Sequence, residues 1–283
     1  MLDAVIVGAG AAGLSSALVL GRSRRQTLVL DAGAPRNAPS PAAHSFFTRD
    51  GAPPAELLAI GRDQLLPYPT VTVRAGRAVD ARALPGGFEV SLEEGDTVRS
   101  RKLLLAYGVV DDLPPIEGLR ELWGTSVLHC PFCHGWEVRD EPLAVYGRGE
   151  MGFDFTRLIL GWSRDLVLCT GGPAELTAEQ REGLTRNGVV IREEPIVSLA
   201  SRDGVLERIV FADGSELPRR AMFVRPAQRP SSDLADRLGC EATELGLVRT
   251  DEWGHTSVPG VYAAGDLTTP MQQVIRAAAL GAS

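Results

Sequence analysis

The sequence predicts an α/β chain of two Rossmann-like nucleotide-binding domains, one of them split by insertion of the other. Three observations carry that expectation. A Gly-x-Gly-x-x-Gly run at Gly8, Gly10 and Gly13 follows a short apolar strand and opens a helical pattern. A second such run, Gly147, Gly149 and Gly152, recurs far downstream in the same strand-turn-helix setting. Beyond it, an apolar strand closes on Gly265-Asp266, as though the first domain resumed after the second.

Composition bounds the rest. A chain of 283 residues, 44% hydrophobic, is long enough for two ordinary domains with full cores. Its formal charge of −7 is spread over both signs without long blocks, which argues against a nucleic-acid or anionic-membrane surface as partner. Met1-Leu2-Asp3 leads straight into Ala4–Val7 without the parts of a secretory signal. No apolar run approaches the ~20 residues of a membrane helix. The expected location is therefore the cytoplasm, where a cysteine pair points to catalysis or metal binding more than to a structural staple.

Taken in order, residues 4–7 form a buried strand and the helical pattern runs to Leu20. Gly8 permits the tight turn, Gly10 lets a pyrophosphate approach the backbone, Ala12 lies between, and Gly13 lets helix and strand touch, with the helix N-terminus facing the phosphate charge. The next strand, 27–30, ends at Asp31, at the spacing of about 20 residues expected of an acid on ribose hydroxyls. The polar loop after it carries Arg36 and Asn37, placed to reach the adenosine side of a bound dinucleotide. Residues 54–66 read as a helix, 71–73 as a strand and 76–101 as a β-meander. A separate buried strand over 102–107 ends at Gly108, where the backbone can be approached closely.

Asp111-Asp112-Leu113-Pro114-Pro115 reads as the linker out of the first domain, since tandem proline stops both helix and sheet. The expected division is 1–113 with 245–283 for the outer domain and 116–242 for the inserted one. Within the insertion, 142–146 is a strand, a helix runs to about Trp162, and 166–169 is the following strand. Counting on from Gly149 as from Gly10 leads to Thr170, not to an acid, and Gly171-Gly172 follow in place of arginines. Glu150, at the start of that helix, would compete with a pyrophosphate for the same dipole. The expectation is a unit that keeps its fold and has lost its ligand. Residues 177–187 read as a helix, 189–191 as a strand, and 196–224 as three short strands divided by Asp203-Gly204 and Asp213-Gly214 turns.

Residues 258–266 then form the strand that ends in Gly265-Asp266, and 271–282, containing Gln273, form an apolar helix. That helix ends without a capping signal, as it would if a C-terminal segment followed. A second carboxylate at a strand end, paired with the N-terminal fingerprint, fits the polyol arm of FAD.

Between the fingerprints stands His129-Cys130-Pro131-Phe132-Cys133-His134-Gly135. Two cysteines three positions apart can close a small disulfide, form half a metal site, or with His134 present a haem-attachment pattern. A zinc site needs a second ligand pair, and Cys169 and Cys240 are not spaced to provide it, so no metal is expected.

These residues together resemble the low-molecular-weight thioredoxin reductase family. The start Gly-Ala-Gly-Ala-Ala-Gly, the Leu105-Ala106-Tyr107-Gly108 strand end, the Cys-x-x-Cys and the Val258–Asp266 stretch fall in that family's order over essentially the whole chain. The resemblance implies FAD as cofactor, a redox disulfide in which Cys133 faces the flavin and Cys130 exchanges with substrate, a thioredoxin-like protein or small dithiol or disulfide as partner, and a homodimer. Two departures stand out: His134 replaces the acid usual after the second cysteine, and Thr170-Gly171-Gly172 replace the His-Arg-Arg usual for NADPH. The Cys-Pro-aromatic-Cys-His-Gly-aromatic-Glu pattern looks like the branch that includes the dithiol oxidases of holomycin and gliotoxin biosynthesis. On this reading His134 moves the proton, with His129 as second candidate. Three functions stay open: a dithiol:disulfide oxidoreductase without conventional NADPH use, a thioredoxin reductase binding NADPH unconventionally, and a flavoprotein redox sensor with little turnover.

Overall fold

The computed structural model describes residues 1–283. The chain opens with β1 (Leu2–Val7), α1 (Ala11–Arg22), β2 (Thr27–Asp31), α2 (Pro54–Asp63) and β3 (Val71–Ala75). A meander of β4 (Ala78–Leu84), β5 (Gly87–Leu92) and β6 (Thr97–Leu105) leads into β7 (Val109–Asp112). The middle of the chain holds β8 (Val127–Leu128), α3 (Pro131–His134), β9 (Leu143–Tyr146), α4 (Gly149–Ile159), β10 (Leu166–Cys169), α5 (Ala178–Arg186) and β11 (Val190–Arg192). After these come β12 (Ile196–Arg202), β13 (Val205–Phe211), β14 (Glu216–Pro218) and β15 (Ala221–Val224). The last part holds β16 (Ala227–Pro230), α6 (Leu234–Arg237), β17 (Val261–Ala263), and α7 (Val274–Ala282).

Contacts divide the chain into two units. The first comprises residues 1–38, 46–111 and 228–283, the second 39–45 and 112–227. The outer boundaries expected near 113 and 116 lie close to this division, but the return to the first unit comes at 228 and not at 245. Burial explains the difference: Leu234, Ala235 and Cys240 sit in the same apolar core as Val5, Leu30 and Leu103, and the Ala235 amide donates to the Tyr107 hydroxyl at 3.2 Å. The stretch around the expected linker also pairs as a strand, β7 with β16, before the prolines interrupt it.

The first unit is built on a seven-stranded sheet ordered β3-β2-β1-β6-β5-β4, with β17 also on β6. Strands β1, β2, β3, β6 and β17 run parallel, and β4, β5 and β6 are antiparallel. A separate strand over 102–107 does not exist. One strand serves both purposes, because 97–100 alternate and pair with β5 while the apolar 103–105 pair with β17. Helix α1 packs on this sheet through Ala12, Leu14 and Ala17, joined in one cluster with Ile6, Val29 and Ala264. Helix α7 starts at Val274, three residues later than expected, since Gln273 is still extended at φ −124° and ψ 146°.

The second unit repeats the plan on a smaller scale, with a five-stranded parallel sheet ordered β11-β10-β9-β15-β8. Between β11 and β15 lies the antiparallel sheet β12-β13-β14. Asp203 and Gly204, at φ 53° and 76°, make the β12-β13 turn, both residues left-handed as a two-residue hairpin of the primed type requires. The stretch expected to hold three strands holds four. Its last, β15, is buried along its whole length and belongs to the parallel sheet.

Candidate active site: a dinucleotide cradle and a disulfide

In the first unit the expected cofactor residues gather at the carboxyl ends of the parallel strands, where a doubly wound sheet binds its ligand. Gly8 has φ +112°, and a Cβ there would lie 2.3 Å from the Ala106 carbonyl oxygen. A Cβ on Gly13 would lie 1.9 Å from the Gly8 carbonyl, so helix and strand touch backbone to backbone. Gly10 faces open space and is the N-cap of α1, whose first turn carries neither a side-chain cap nor an acid. Four amide donors at a helix start lack intrahelical partners, and here they point at a place a phosphate can occupy.

Asp31, at the end of β2, accepts from the Gly33 amide at 2.9 Å and from Arg62 Nη2 at 2.6 Å. A carboxylate has about four acceptor positions, so capacity remains for ribose hydroxyls. Arg36 reaches the far side of the site. Its Nε and Nη2 make a fork to Asp111 at 2.7 and 2.6 Å, and its Nη1 lies 3.3 Å from Asp266 and donates to Gln272 Oε1. Gln228 Nε2 donates to Asp111 at 3.0 Å. Burial raises the Asp266 carboxyl above its ordinary range, and Arg36 pulls it partly back. Gln272 Nε2 is buried without a hydrogen-bond partner. A buried orphan donor beside a buried carboxylate is the state expected of a cradle built for a polyol and a ring carbonyl.

The other expected residues fall around this cluster. Gly265 begins a short 3₁₀ turn after β17, against Ala12, which a Cβ at Gly265 would approach to 2.9 Å. Gly108, at φ +70°, accepts at its carbonyl from the Ser231 amide. Gln273 caps α7 by its backbone, its carbonyl accepting from Ala277. Asn37 is half-buried in the loop beside Arg36. Asp111, Gln228 and Gln272 were missed by sequence reasoning. Only the doubled Gln272-Gln273 next to the Gly-Asp motif could have suggested one of them.

In the second unit Cys130 and Cys133 form a disulfide with Cα atoms 5.3 Å apart, inside the usual range. Cys130 is the N-cap of α3, and Pro131 takes the first helical position, where its missing amide costs nothing. The amides of Cys133 and His134 both donate to the Cys130 carbonyl at 3.2 Å. Phe132 stands edge-on to Trp162, with ring centroids 5.4 Å apart. A Cβ on Gly135 would lie 2.5 Å from the Pro131 carbonyl oxygen and 2.6 Å from the Trp162 ring. His134 is half-buried; burial lowers its pKa, Glu137 works against that, and His44 adds to it. The balance leaves the imidazole with a lowered affinity for a proton. His129 lies immediately before the pair.

The second fingerprint differs from the first in its details. Thr170 is buried, its hydroxyl donating to the Gly172 carbonyl at 2.6 Å with the Arg192 carbonyl at 3.3 Å. The Gly149 amide already donates to Ala174, and Glu150 lies in the first turn of α4. Arg148 is near Glu175 at 3.7 Å, and Arg192 is held by Glu194 and Ser215.

The sequence profile of the pyridine nucleotide-disulphide oxidoreductases matches residues 2–281. The chain belongs to that family. Among curated proteins of the family it is similar to the thioredoxin reductase sirT of Leptosphaeria maculans, 33% identical, over 100% of this chain and 92% of that protein. Among solved structures it is similar to HlmI, with a TM-score of 0.94 and 39% identity over 99% of this chain and 89% of that one. An oxidoreductase of Agrobacterium tumefaciens gives 0.92 and 35% over 99% and 95%. The protein is a thioredoxin reductase-like FAD disulfide oxidoreductase, and the cradle of the first unit fits FAD. No helix is long and apolar enough to cross a membrane.

Proposed function

We propose that this flavoenzyme oxidises dithiols through Cys130 and Cys133 and does not draw its electrons from NADPH in the conventional way. The observation that carries the reading is Thr170: where a nicotinamide nucleotide would need an acid or an arginine, a buried hydroxyl is committed to the backbone. Glu150 at the start of α4 and the occupied Gly149 amide support it, because both weaken the second helix N-terminus as an anion site. This copy has no acid at the ribose position and no arginine cluster for the 2′-phosphate of NADPH, which supports the reading.

In the proposed exchange, a substrate thiol gives its proton to His134 and its sulfur attacks Cys130 Sγ. The Cys130–Cys133 bond breaks and its electron pair stays on Cys133 as thiolate. The second substrate thiol loses its proton, attacks the substrate sulfur of the mixed disulfide, and releases Cys130. The substrate is oxidised by two electrons, the protein disulfide is reduced by two, and the two protons leave through His134 or return to the cysteines. The Gly8–Gly13 turn, Asp31 and the Arg36–Asp266 cluster would hold FAD, which when bound would supply a two-electron acceptor for the reduced cysteine pair, with oxygen or another carrier as the final acceptor. On this reading the substrate is a small dithiol or a thioredoxin-like protein, and the assembly is a homodimer.

One observation favours a second reading. Arg148 is half-exposed beside Gly172 and near Glu175, so a nucleotide phosphate could displace its partner in an unconventional mode. Anaerobic titration of the holoenzyme with NADPH, NADH and dithiothreitol, followed by flavin absorbance, separates the two. Bleaching by the dithiol alone is expected; bleaching by NADPH at low concentration would overturn the proposal.

A further inference from the structure

Two large aromatic rings stand uncovered beside the disulfide: Phe132 is 59% exposed and Trp136 66% exposed. The backbone keeps a helical course from Pro131 through Gly135, whose amide donates to the Pro131 carbonyl at 2.7 Å and whose φ and ψ are −67° and −30°. Residues four apart on such a course share a face, so Phe132 and Trp136 stand side by side, with Cys133 one residue from the first and three from the second. Neither ring is loose. Trp162 meets Phe132 edge-on, and the same indole lies against Gly135. The segment after Trp136 is tied down as well, because the Asp140 amide donates to the Trp162 carbonyl at 2.8 Å and the Ser163 hydroxyl to the Glu141 carbonyl at 2.6 Å.

Arg139 lies over the Trp136 ring, 3.9 Å from its centroid, and donates through Nη1 to the Trp136 carbonyl at 2.6 Å. Both contacts hold the guanidinium, and neither is to a carboxylate. The acid between the two in sequence, Glu137, is turned to His44 Nε2 at 3.3 Å. A guanidinium stacked on an indole keeps its edge donors for a planar anion.

We propose that Phe132, Trp136 and Arg139 form the substrate subsite of the Cys130–Cys133 disulfide, and that it takes a small dithiol with an apolar body and an acidic group. The inference rests on the reading that dithiols exchange with this disulfide, and it names which ones. Size decides between a small molecule and a protein. At these exposures the two rings present roughly 200–300 Å², against about 800 Å² that each partner of a stable protein complex buries. An apolar body laid on the rings gains from leaving water, and Arg139 meets the acid at the edge of the indole.

Lipoate and lipoamide, which differ only in a carboxylate against an amide, probe the subsite. Calorimetric titration of the oxidised holoenzyme is expected to show lipoate binding about two- to fivefold more tightly than lipoamide, a margin that shrinks as salt is raised. Arg139→Gln should erase that margin, and Arg139→Lys should restore part of it. Trp136→Ala should weaken both ligands by about five- to tenfold and narrow the margin too, since the guanidinium loses its support; Trp136→Phe should recover most of the affinity. A general disturbance of the loop would not separate charge from apolar contact in this way. No measurable binding, equal affinity for the two ligands, or variants that leave both affinities unchanged would overturn the proposal; melting temperature and flavin absorbance verify that each variant is folded. The reduced forms, dihydrolipoate and dihydrolipoamide, address the underlying reading separately. If neither bleaches the flavin while lipoate binds as expected, dithiol exchange fails and the subsite stands. Bleaching by both at the same rate overturns the subsite and leaves dithiol exchange in place.

Discussion

Cys133 and Thr170 are single residues on which the functional reading turns, one by what it supplies and the other by what it withholds. Replacing Cys133 with Ser leaves Cys130 a lone thiol, with no disulfide for a substrate thiol to attack. Reduction of bound FAD by dithiols is then expected to be lost in stopped-flow absorbance, and reduction at the wild-type rate would sink the scheme. The glycines at 8, 10 and 13, Asp31 and Asp266 were legible in the sequence because their chemistry demands those residue types at fixed spacing from a strand end. Asp111, Gln228 and Gln272 were not, since their meeting with Arg36 joins positions far apart in the chain and is set by the sheet order.

Elements were legible where one period dominated and illegible where two pairings shared a strand. β6 alternates over its first half and is uniformly apolar at its end, and the sequence alone suggests two strands there. The short helix α3 is a different case, because nothing in four residues has a period. Its place depends on contacts such as the backbone approach at Gly135. Gly135→Ala would drive a methyl group into the Pro131 carbonyl and the Trp162 ring, and overpacking of this kind costs about 1–3 kcal/mol. The expected outcome is a lower urea midpoint with slower dithiol exchange at the cysteines. An unchanged midpoint and rate would mean that α3 shifts freely, against the anchoring by Trp162 described above.

At the scale of the molecule, the cofactor and the fold are linked. Arg36, Asp111, Asp266 and Gln272 form a half-buried charged cluster that retains an unsatisfied donor, so a ligand that completes it stabilises the native chain. Free FAD at 100 times its dissociation constant would add about 2.7 kcal/mol, or roughly 5–10 °C in melting temperature for a domain of this size. Stripping FAD and rescanning by calorimetry should show that loss, and re-addition should reverse it in a concentration-dependent way. A melting temperature indifferent to FAD would mean that the cradle is already complete without it. The domain division was half legible: the tandem prolines mark the exit, but nothing in 228–244 marks the return, because burial of Leu234 and Cys240 is decided by strands made much earlier.

The placement of β17 and α7 has a bearing on how the protein comes into being at the ribosome. β17 completes the sheet beside β6, and the Ser16 hydroxyl of α1 donates to the Gly281 carbonyl of α7. The insertion, with the 39–45 excursion already emerged, has every strand it needs once residue 224 is out. Residues 1–111 must instead wait for β17 and α7, whose synthesis after residue 111 takes on the order of ten to thirty seconds at about 5–20 residues per second. During that interval the apolar edge of β6 that later receives β17 is uncovered, and the nascent chain has a segment of this sequence for a chaperone to guard.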